Sequence, residues 1–243
     1  MADTPRSARA SEIKFLVDPV LADRIRDWAR QHLQADPHGG GPFGDTYSTT
    51  TLYLDTPAFD VFHRRGSNGR AKYRIRRYDN DVVFCERKLR TAMRLAKRRT
   101  QVALDDVPRL LATEVDDSAA AWFHHRVRVR SLSPACQVRY TRLARGIETP
   151  AGPARLTVDD ALYAGPADGL GTGAPPSAPF LQGHAILEMK FRQVLPALFK
   201  ELLEELQLTP GTVSKYRHAM TTLGAVEAAP ALDAEPALTS DSQ

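Results

Sequence analysis

Charged residues occupy alternate positions in several short, strand-like segments of this chain, and this pattern limits the available folds more than any other feature. The clearest segments are KYRIR at 72–76, CERK at 85–88, AKRR at 96–99 and ILEMKF at 186–191. Side chains of a strand alternate between its two faces, so each segment has one charged face and one partly apolar face. Amphipathic helices elsewhere in the chain can cover the apolar faces. The pattern therefore favours a barrel with a polar interior lined by cations, which suits a polyanion.

Eight segments have the residue pattern of strands, which is enough for a small barrel. They lie at about 12–17, 47–55, 70–78, 82–90, 95–104, 135–144, 154–162 and 184–192. Helices are predicted after the Asp18-Pro19 pair, over roughly 106–130, at about 195–206 and at about 214–223. Asn80-Asp81 predicts a tight hairpin, and the Gly- and Pro-rich stretch at 165–180 predicts a long loop. The predicted fold is α+β: a small barrel of about eight strands with helices packed outside.

The chain length and its charge distribution favour one domain with a local binding surface. The 243 residues carry 33 Lys and Arg against 29 Asp and Glu, a net charge of only +4. The cations concentrate between Arg64 and Arg99. We expect a disordered N-terminus over 1–10, a single folded domain over 11–224 and a disordered, Ala- and Pro-rich tail over 225–243.

The cysteine content and hydropathy predict a cytoplasmic protein. Cys85 and Cys136 are too few and too far apart in sequence for a disulfide framework or a zinc site. No apolar run approaches the roughly 20 residues that cross a bilayer, and the N-terminus has no signal core. The sequence does not predict an oligomeric state.

The cations on the charged faces suit a chain of linked phosphates. Lys72, Arg74 and Arg76 share one face of a strand, and the following strands add Lys88, Lys97 and Arg99. Arginine donates two parallel hydrogen bonds to phosphate, whereas lysine acts as a mobile point charge. So many like charges in one interior are costly unless a polyanion and interleaved carboxylates offset them.

Carboxylates on the same faces could hold a divalent cation. Glu12, Glu86 and Glu188 are the candidate ligands, and the adjacent Asp159 and Asp160 end the LTVDD segment. Mg²⁺ and Mn²⁺ prefer such oxygen ligands and are commonly shared with substrate phosphates. The ion would neutralise charge on a transferred phosphoryl group.

Each motif taken alone has a simpler interpretation. A KxRxR segment is commonly a solvated face or a nucleic-acid patch, and Glu188 alone would be a structural salt bridge to Lys190. Few aromatic residues interleave with the cations, which argues against nucleic acid as the partner because stacking on bases requires them. The combination and order of the motifs carry more information than any one of them.

Nine short motifs in order resemble the VTC domain, the polyphosphate-polymerase branch of the triphosphate tunnel metalloenzymes, over about residues 9 to 222. They are EIKF, STTTLYLDT, KYRIRRY, CERK, AKRR, YTR, RLTVDD, LEMKF and SKY. The resemblance implies an antiparallel eight-stranded tunnel that binds a triphosphate or polyphosphate beside a divalent metal. By motif position the basic lining would be Lys14, Arg74, Arg76, Lys88, Lys97, Arg142 and Arg155. Glu188 would be the metal ligand of the last strand, and Lys215 would close over the tunnel from a helix.

The chain departs from the wider family at one position. The ExExK signature of the triphosphatases would place its first glutamate at Ala10, which leaves only Glu12 and Lys14. This departure favours the polymerase branch. The given residues match neither the phosphate-sensing domain nor the membrane helices of the eukaryotic polymerase complex. The sequence therefore does not identify a membrane partner.

These observations lead to three hypotheses. The first is a Mn²⁺- or Mg²⁺-dependent phosphotransferase that makes polyphosphate from a nucleoside triphosphate, with Arg74, Arg76, Lys88 and Glu188 as catalytic residues. Substrate would also contact Lys14, Lys72, Lys97, Arg99, Arg142, Arg155, Lys190 and Lys215. The second is a tripolyphosphate or nucleoside triphosphate hydrolase that uses the same tunnel, and the third is a non-catalytic polyphosphate binder.

Overall fold

The computed structural model describes residues 10–79, 81–90, 95–113, 118–168, 170 and 174–226. One antiparallel sheet dominates it. Its strands are β1 Ala10–Val17, β2 Gln34–Ala35, β3 Thr46–Asp55, β4 Ala71–Tyr78, β5 Val83–Arg90, β6 Leu95–Val102, β7 Ser133–Thr149, β8 Gly152–Gly165, β9 Ala178–Pro179 and β10 Ala185–Arg192. The helices are α1 Pro19–His32, α2 Val107–Leu111, α3 Ala121–Val129, α4 Ala197–Glu205 and α5 Lys215–Thr222.

Eight strands form the main path of the sheet in the order β1-β10-β8-β7-β3-β4-β5-β6, while β2 and β9 pair at its side. The sheet curls into a half-barrel, so that strands distant along the path face one another. Lys88 of β5 donates to Glu12 of β1 at 3.1 Å across this interior. The α+β fold and the eight main antiparallel strands predicted from the sequence are confirmed.

The predicted helix over 106–130 is wrong. A short 3₁₀ helix, Leu104–Asp106, leads into α2, and the extended backbone of Ala112 ends that helix. A second helix, α3, begins only at Ala121, where the Ser118 hydroxyl accepts a hydrogen bond from the Ala120 N–H. Asn80 of the predicted hairpin lies outside the described residues, as do 1–9 and 227–243 of the two termini expected to be disordered.

Two apolar cores cover the convex, outer face of the sheet. Phe15, Leu187 and Leu156 pack against Ile25 of α1 and Phe199 of α4. Tyr73, Ile75 and Cys85 pack with Leu110 of α2 and Phe123 of α3. The side chains alternating with these point to the concave face, which we call the inner face.

Helix α5 differs from the other helices because it packs on the inner face. Its Tyr216 and Met220 join Tyr53, Val138 and Tyr140 in a third apolar core. Tyr53 and Tyr140 alternate with outer-face residues, so α5 covers one part of the concave side. The expectation that all helices pack outside is therefore wrong for α5, because apolar side chains of the inner face pack against this helix.

Local sequence explains where two of these helices begin. Asp18 caps α1 by accepting from the Leu21 N–H at 2.9 Å, and Pro19 occupies its first turn. Ser214 caps α5. Cys85 and Cys136 are both buried and are not joined in a disulfide. Among the described residues, none of the helices has the length and apolar character of a membrane span.

Candidate active site

All the predicted substrate-binding residues come together on the inner face or on α5 where it meets that face. β4 contributes Lys72, Arg74 and Arg76, and its neighbours β5 and β6 contribute the next cations. The set comprises Lys14, Lys72, Arg74, Arg76, Lys88, Lys97, Arg99, Arg142, Arg155, Lys190 and Lys215. Alternation along adjacent antiparallel strands puts these side chains on one surface. The sheet's curl turns that surface into a basic interior.

Glu86 forms the first of three carboxylate clusters in the interior. Its buried carboxylate lies 2.7 Å from Arg74 and 2.7 Å from Lys97. Burial raises the pKa of Glu86, but Arg74, Arg76 and Lys97 outweigh that effect and hold the pKa far below its usual range. Glu86 therefore stays ionised and offsets the cations of β4 and β6.

Glu12 and Glu188 form the second cluster. Lys14 Nζ lies 3.0 Å from Glu12 and 3.6 Å from Glu188, so one ammonium contacts both carboxylates. Lys190 also pairs with both, and Lys88 reaches Glu12. Burial and the charge of Glu188 raise the pKa of Glu12, but Lys14, Lys88 and Lys190 lower it to about 2. Burial likewise opposes Lys190 and Lys14 at Glu188, whose pKa still falls well below its usual range.

Asp159 forms the third cluster with residues of β7 and α5. It is fully buried and accepts both Arg142 Nε at 2.5 Å and Arg142 Nη2 at 2.7 Å. It also accepts from Lys215 at 2.5 Å, and the Lys215 ammonium lies 4.7 Å from the centre of the Tyr140 ring. Despite burial, Arg142 and Lys215 lower the pKa of Asp159 to about 2. Asp159 therefore holds Lys215 in place, which is the one predicted site lysine that lies on a helix.

Several inner-face hydroxyl groups were not predicted from the sequence. Thr51 accepts from Arg76 Nε at 3.2 Å, and Tyr47 accepts from Arg155 Nη2 at 3.0 Å. Thr157 pairs with Glu188 across β8 and β10, and its buried hydroxyl has no hydrogen-bond partner within the described ranges. The strand segments TYSTTTLYLD and LTVD carried part of the signal. Thr and Tyr recur at every second position of the first, and the second has a Thr between two apolar residues.

Two interior lysines are poised near neutral pH. Burial within the walls, together with the charges of Lys14 and Lys88, lowers the pKa of Lys72 to about 7, although its side chain remains open to solvent. Burial lowers the pKa of Lys97 to about 8 against the opposing effect of Glu86. The interior therefore has more cationic charge than its carboxylates neutralise, and an entering phosphate would strengthen protonation of both lysines.

The three glutamates predicted as metal ligands fall into two places. Glu12 and Glu188 lie together, whereas Glu86 is engaged by Arg74 and Lys97. No group of three His, Cys, Asp or Glu suited to a metal ion occurs in the part of the chain that the structure describes. The Glu12 and Glu188 pair does fit a hydrated divalent ion. Lys14 already places a positive charge between the two carboxylates. Thr157 lies opposite Glu188 on the neighbouring strand β8, and its buried hydroxyl has no hydrogen-bond partner among the described residues.

Comparison with known protein families agrees with the order of the sequence motifs. The VTC domain matches residues 9–224 of this chain. The chain belongs to the VTC domain family. No curated protein matches the sequence.

Two solved structures share the fold of this VTC-domain protein. A candidate adenylate cyclase from Bacillus halodurans is 15% identical with a TM-score of 0.54, and the match covers 85% of this chain and 94% of that one. The second is HpAC1 from Hippeastrum, a candidate adenylyl cyclase whose dominant activity is that of a triphosphatase. It is 15% identical with a TM-score of 0.52, covering 88% of this chain and 95% of that one. These likenesses show that the curled sheet and its helices have the same fold as these two proteins.

Proposed function

We propose that this protein is a divalent-metal-dependent phosphotransferase that moves the terminal phosphate of a nucleoside triphosphate onto a growing polyphosphate chain. The observation that carries this proposal is the basic interior, where cations from seven strands and α5 surround a few fixed carboxylates. Such an interior provides many phosphate contacts along one path rather than a single anion pocket. Membership of the VTC domain family supports the same substrate class.

The proposed reaction exchanges one phosphorus–oxygen bond for another. A terminal oxygen of the acceptor chain attacks the γ-phosphorus, and the bond to the bridging β–γ oxygen breaks. The nucleoside diphosphate leaves with that electron pair, and the acceptor becomes one phosphate longer. The protein's contribution is to align the two phosphate groups and to stabilise the charge on the transferred group. Arg74, Arg76 and Lys88 lie on adjacent strands, and we propose them for this role.

The protonation states of the interior carboxylates favour a phosphate acceptor over water. An attacking water has to lose a proton, whereas a terminal phosphate oxygen is already ionised. Glu12, Asp159 and Glu188 have lowered pKa values and are held by cations. They are weak bases at neutral pH, because a general base works best with a pKa near the working pH. This difference supports transfer to phosphate.

Glu12 and Glu188 would hold the divalent ion, either Mn²⁺ or Mg²⁺. When bound, the ion would neutralise negative charge on the phosphate oxygens. Lys14 and Lys190 would then be free to bind phosphate, since both currently pair with the same carboxylates. Glu86 would keep Arg74 and Lys97 in position.

Hydrolysis is the second candidate function. The triphosphatase activity described for the Hippeastrum protein favours it, because that protein shares the fold. The same interior cations would hold the triphosphate. The reaction would then depend on whether water or a phosphate chain reaches the γ-phosphorus.

The deciding experiment incubates purified protein with ATP, Mn²⁺ or Mg²⁺ and a pyrophosphate primer. Gel electrophoresis measures polyphosphate, and a colorimetric assay measures free phosphate. We expect polymer formation that Glu188→Gln strongly reduces, with Glu205→Gln at an exposed position of α4 as the matched control. Phosphate release without polymer would establish the hydrolase instead. Tight polyphosphate binding with neither product would indicate a non-catalytic binder.

A further inference from the structure

Three aromatic rings form a row at one end of the inner face. The ring centres of Tyr47 and Tyr78 are 5.6 Å apart, and those of Tyr78 and Phe84 are 6.1 Å apart. Tyr47 lies near the beginning of β3, Tyr78 ends β4, and Phe84 lies near the beginning of β5. Each shares the alternation of the inner-face residues on its own strand, so all three rings lie on that face. Tyr47, Tyr78 and Phe84 are called the aromatic row below.

The aromatic row lies at the end of the interior that is distant from α5. Near the beginning of β4, Lys72 Nζ donates to Ser214 Oγ, the cap of α5, at 3.3 Å. Tyr78 lies six residues further along the same strand, which corresponds to about 20 Å. The connection from β4 to β5 turns at this end, where the Tyr78 N–H donates to the Val82 carbonyl at 3.0 Å. The row therefore lines the mouth of the interior opposite to α5.

Packing in an apolar core does not account for the aromatic row. None of its rings belongs to the three apolar cores formed by the described residues. Tyr47 is buried, but Tyr78 and Phe84 are only half-buried, so parts of their rings reach solvent. A chain of phosphates has no apolar surface to place against such rings. A nucleobase does, and stacking on an aromatic side chain is available to every base.

Two arginines border the aromatic row. The Arg99 guanidinium lies 4.6 Å from the centre of the Phe84 ring, and it forms no ion pair within the described residues. At the other end of the row, Arg155 donates to the Tyr47 hydroxyl at 3.0 Å, and Asp36 holds the same guanidinium at 2.8 Å. A nucleotide combines a flat base with anionic phosphate, and this mouth offers contacts of both kinds.

The aromatic row continues directly into the residues proposed to bind phosphate. Arg76 lies two residues before Tyr78 on the same face of β4, and it pairs with Phe84 across β4 and β5. Two residues of a strand span roughly 7 Å, a spacing that a ribose can bridge. A base on the exposed rings would therefore direct its phosphates towards Arg76 and the deeper interior.

We propose that Tyr78 and Phe84, supported by Tyr47, form a nucleoside subsite that binds the base of the donor triphosphate by stacking. This proposal rests on the proposed function, because it takes a nucleoside triphosphate as the donor. The subsite adds affinity for a nucleoside triphosphate that tripolyphosphate does not obtain. Stacking discriminates little between bases, so ATP and GTP should both use it.

The test compares binding of ATP with binding of tripolyphosphate by isothermal titration calorimetry, without metal so that neither ligand turns over. Phe84→Leu and Tyr78→Leu should each weaken ATP binding roughly five- to thirtyfold and leave tripolyphosphate affinity unchanged. Phe84→Tyr, which keeps an aromatic ring, should retain most of the ATP affinity. GTP should follow ATP in each variant.

Trp122→Leu is the matched control. It removes a ring of α3 that packs with the outer core, where the Arg98 guanidinium lies 4.4 Å from the ring centre. The control therefore loses the same kind of arginine–aromatic contact on the other side of the sheet. It should bind ATP and tripolyphosphate as the wild type does, and thermal unfolding should show that every variant is folded.

A selective loss of ATP affinity in either leucine variant would support the nucleoside subsite. Unchanged ATP affinity in both variants would overturn it, and so would a wild type that does not bind ATP. An equal loss of ATP and tripolyphosphate would also overturn it, because the rings would then only position the arginines beside them.

This readout separates failure of the subsite from failure of the proposed function, because binding is measured without turnover. A wild type that makes polymer, with leucine variants that bind ATP normally, would retain the phosphotransferase and lose the subsite. A wild type that makes no polymer, with variants that lose only ATP affinity, would retain the subsite and lose the phosphotransferase.

Discussion

The two sides of the inner face are built differently. The side formed by β1, β10 and β8 carries Glu12 and Glu188, and each lysine there contacts a carboxylate. The opposite side, formed by β4, β5 and β6, carries five or more cations around the single buried Glu86. We call the first the acidic wall and the second the basic wall. The contrast indicates a division of labour, in which the acidic wall holds a cation and the basic wall holds phosphate.

The largest effect is expected from Glu188→Gln in the acidic wall. The change removes one of two carboxylates that could bind the ion, and turnover should fall by a factor of roughly 100 to 1,000. Tripolyphosphate binding without metal should persist, because the basic wall is untouched. Steady-state rates, metal titration and calorimetry on the same preparation measure these quantities. Unchanged rate and metal dependence would refute the assignment of an ion to the acidic wall.

The basic wall should respond to Arg76→Lys with a loss of substrate affinity. Arg76 is buried, and the Thr51 hydroxyl accepts from its Nε. Lysine keeps the charge but loses the planar fork that binds phosphate, so the KM for ATP should rise roughly tenfold. Arg24→Lys on α1 provides an outer-surface control. Unchanged KM and kcat would refute a contact between Arg76 and phosphate.

The pH dependence of binding should originate in the basic wall. Lys72 and Lys97 have folded-state pKa values of about 7 and 8, so each loses its charge as the pH rises through those values. Tripolyphosphate affinity should therefore fall several-fold between about pH 6.5 and 9. Calorimetry in buffers of different ionisation enthalpy should detect proton uptake on binding near pH 7.5. Lys72→Arg should flatten the profile, and an identical profile in this variant would exclude Lys72 as the titrating group.

The smallest effect is expected at the edge of the acidic wall. Tyr47→Phe removes the hydroxyl that accepts from Arg155 Nη2. Arg155 keeps its contact with Asp36 at 2.8 Å, so the KM should change by only about two- to threefold. Initial-rate kinetics would detect this change. A loss of tenfold or more would show that the tyrosine hydroxyl itself contacts substrate.

Strand alternation predicted the walls well because it is a property of the local sequence. KYRIR and LEMKF place their charges on one face in the structure, as expected. The adjacent Asp159 and Asp160 show the limit of that reasoning. They had to fall on opposite faces, and Asp160 pairs with Arg26 of α1 on the outside, whereas Asp159 lies inside. Knowing which one faces inward required the register of β8.

Sequence patterns gave least information about contacts between segments that are far apart in the chain. Glu86 was grouped with Glu12 and Glu188, but the cations of β4 and β6 engage it. The inward seat of α5 depends on Tyr53, Val138 and Tyr140, which belong to two other strands. The break between α2 and α3 follows from the extended backbone at Ala112. None of these features has a local signature of 3.6- or two-residue period.

The position of Lys14 bears on how the protein would acquire its ion. Its ammonium and that of Lys190 already pair with both Glu12 and Glu188, so the two carboxylates are compatible with a folded protein before any metal binds. A metal ion would then replace a lysine ammonium beside the two carboxylates of a protein that is already folded. Small zinc domains differ, because they fold only around their metal. A chelator should therefore silence the protein without unfolding it. The supply of free divalent ion, and not the stability of the fold, would set the fraction of active molecules.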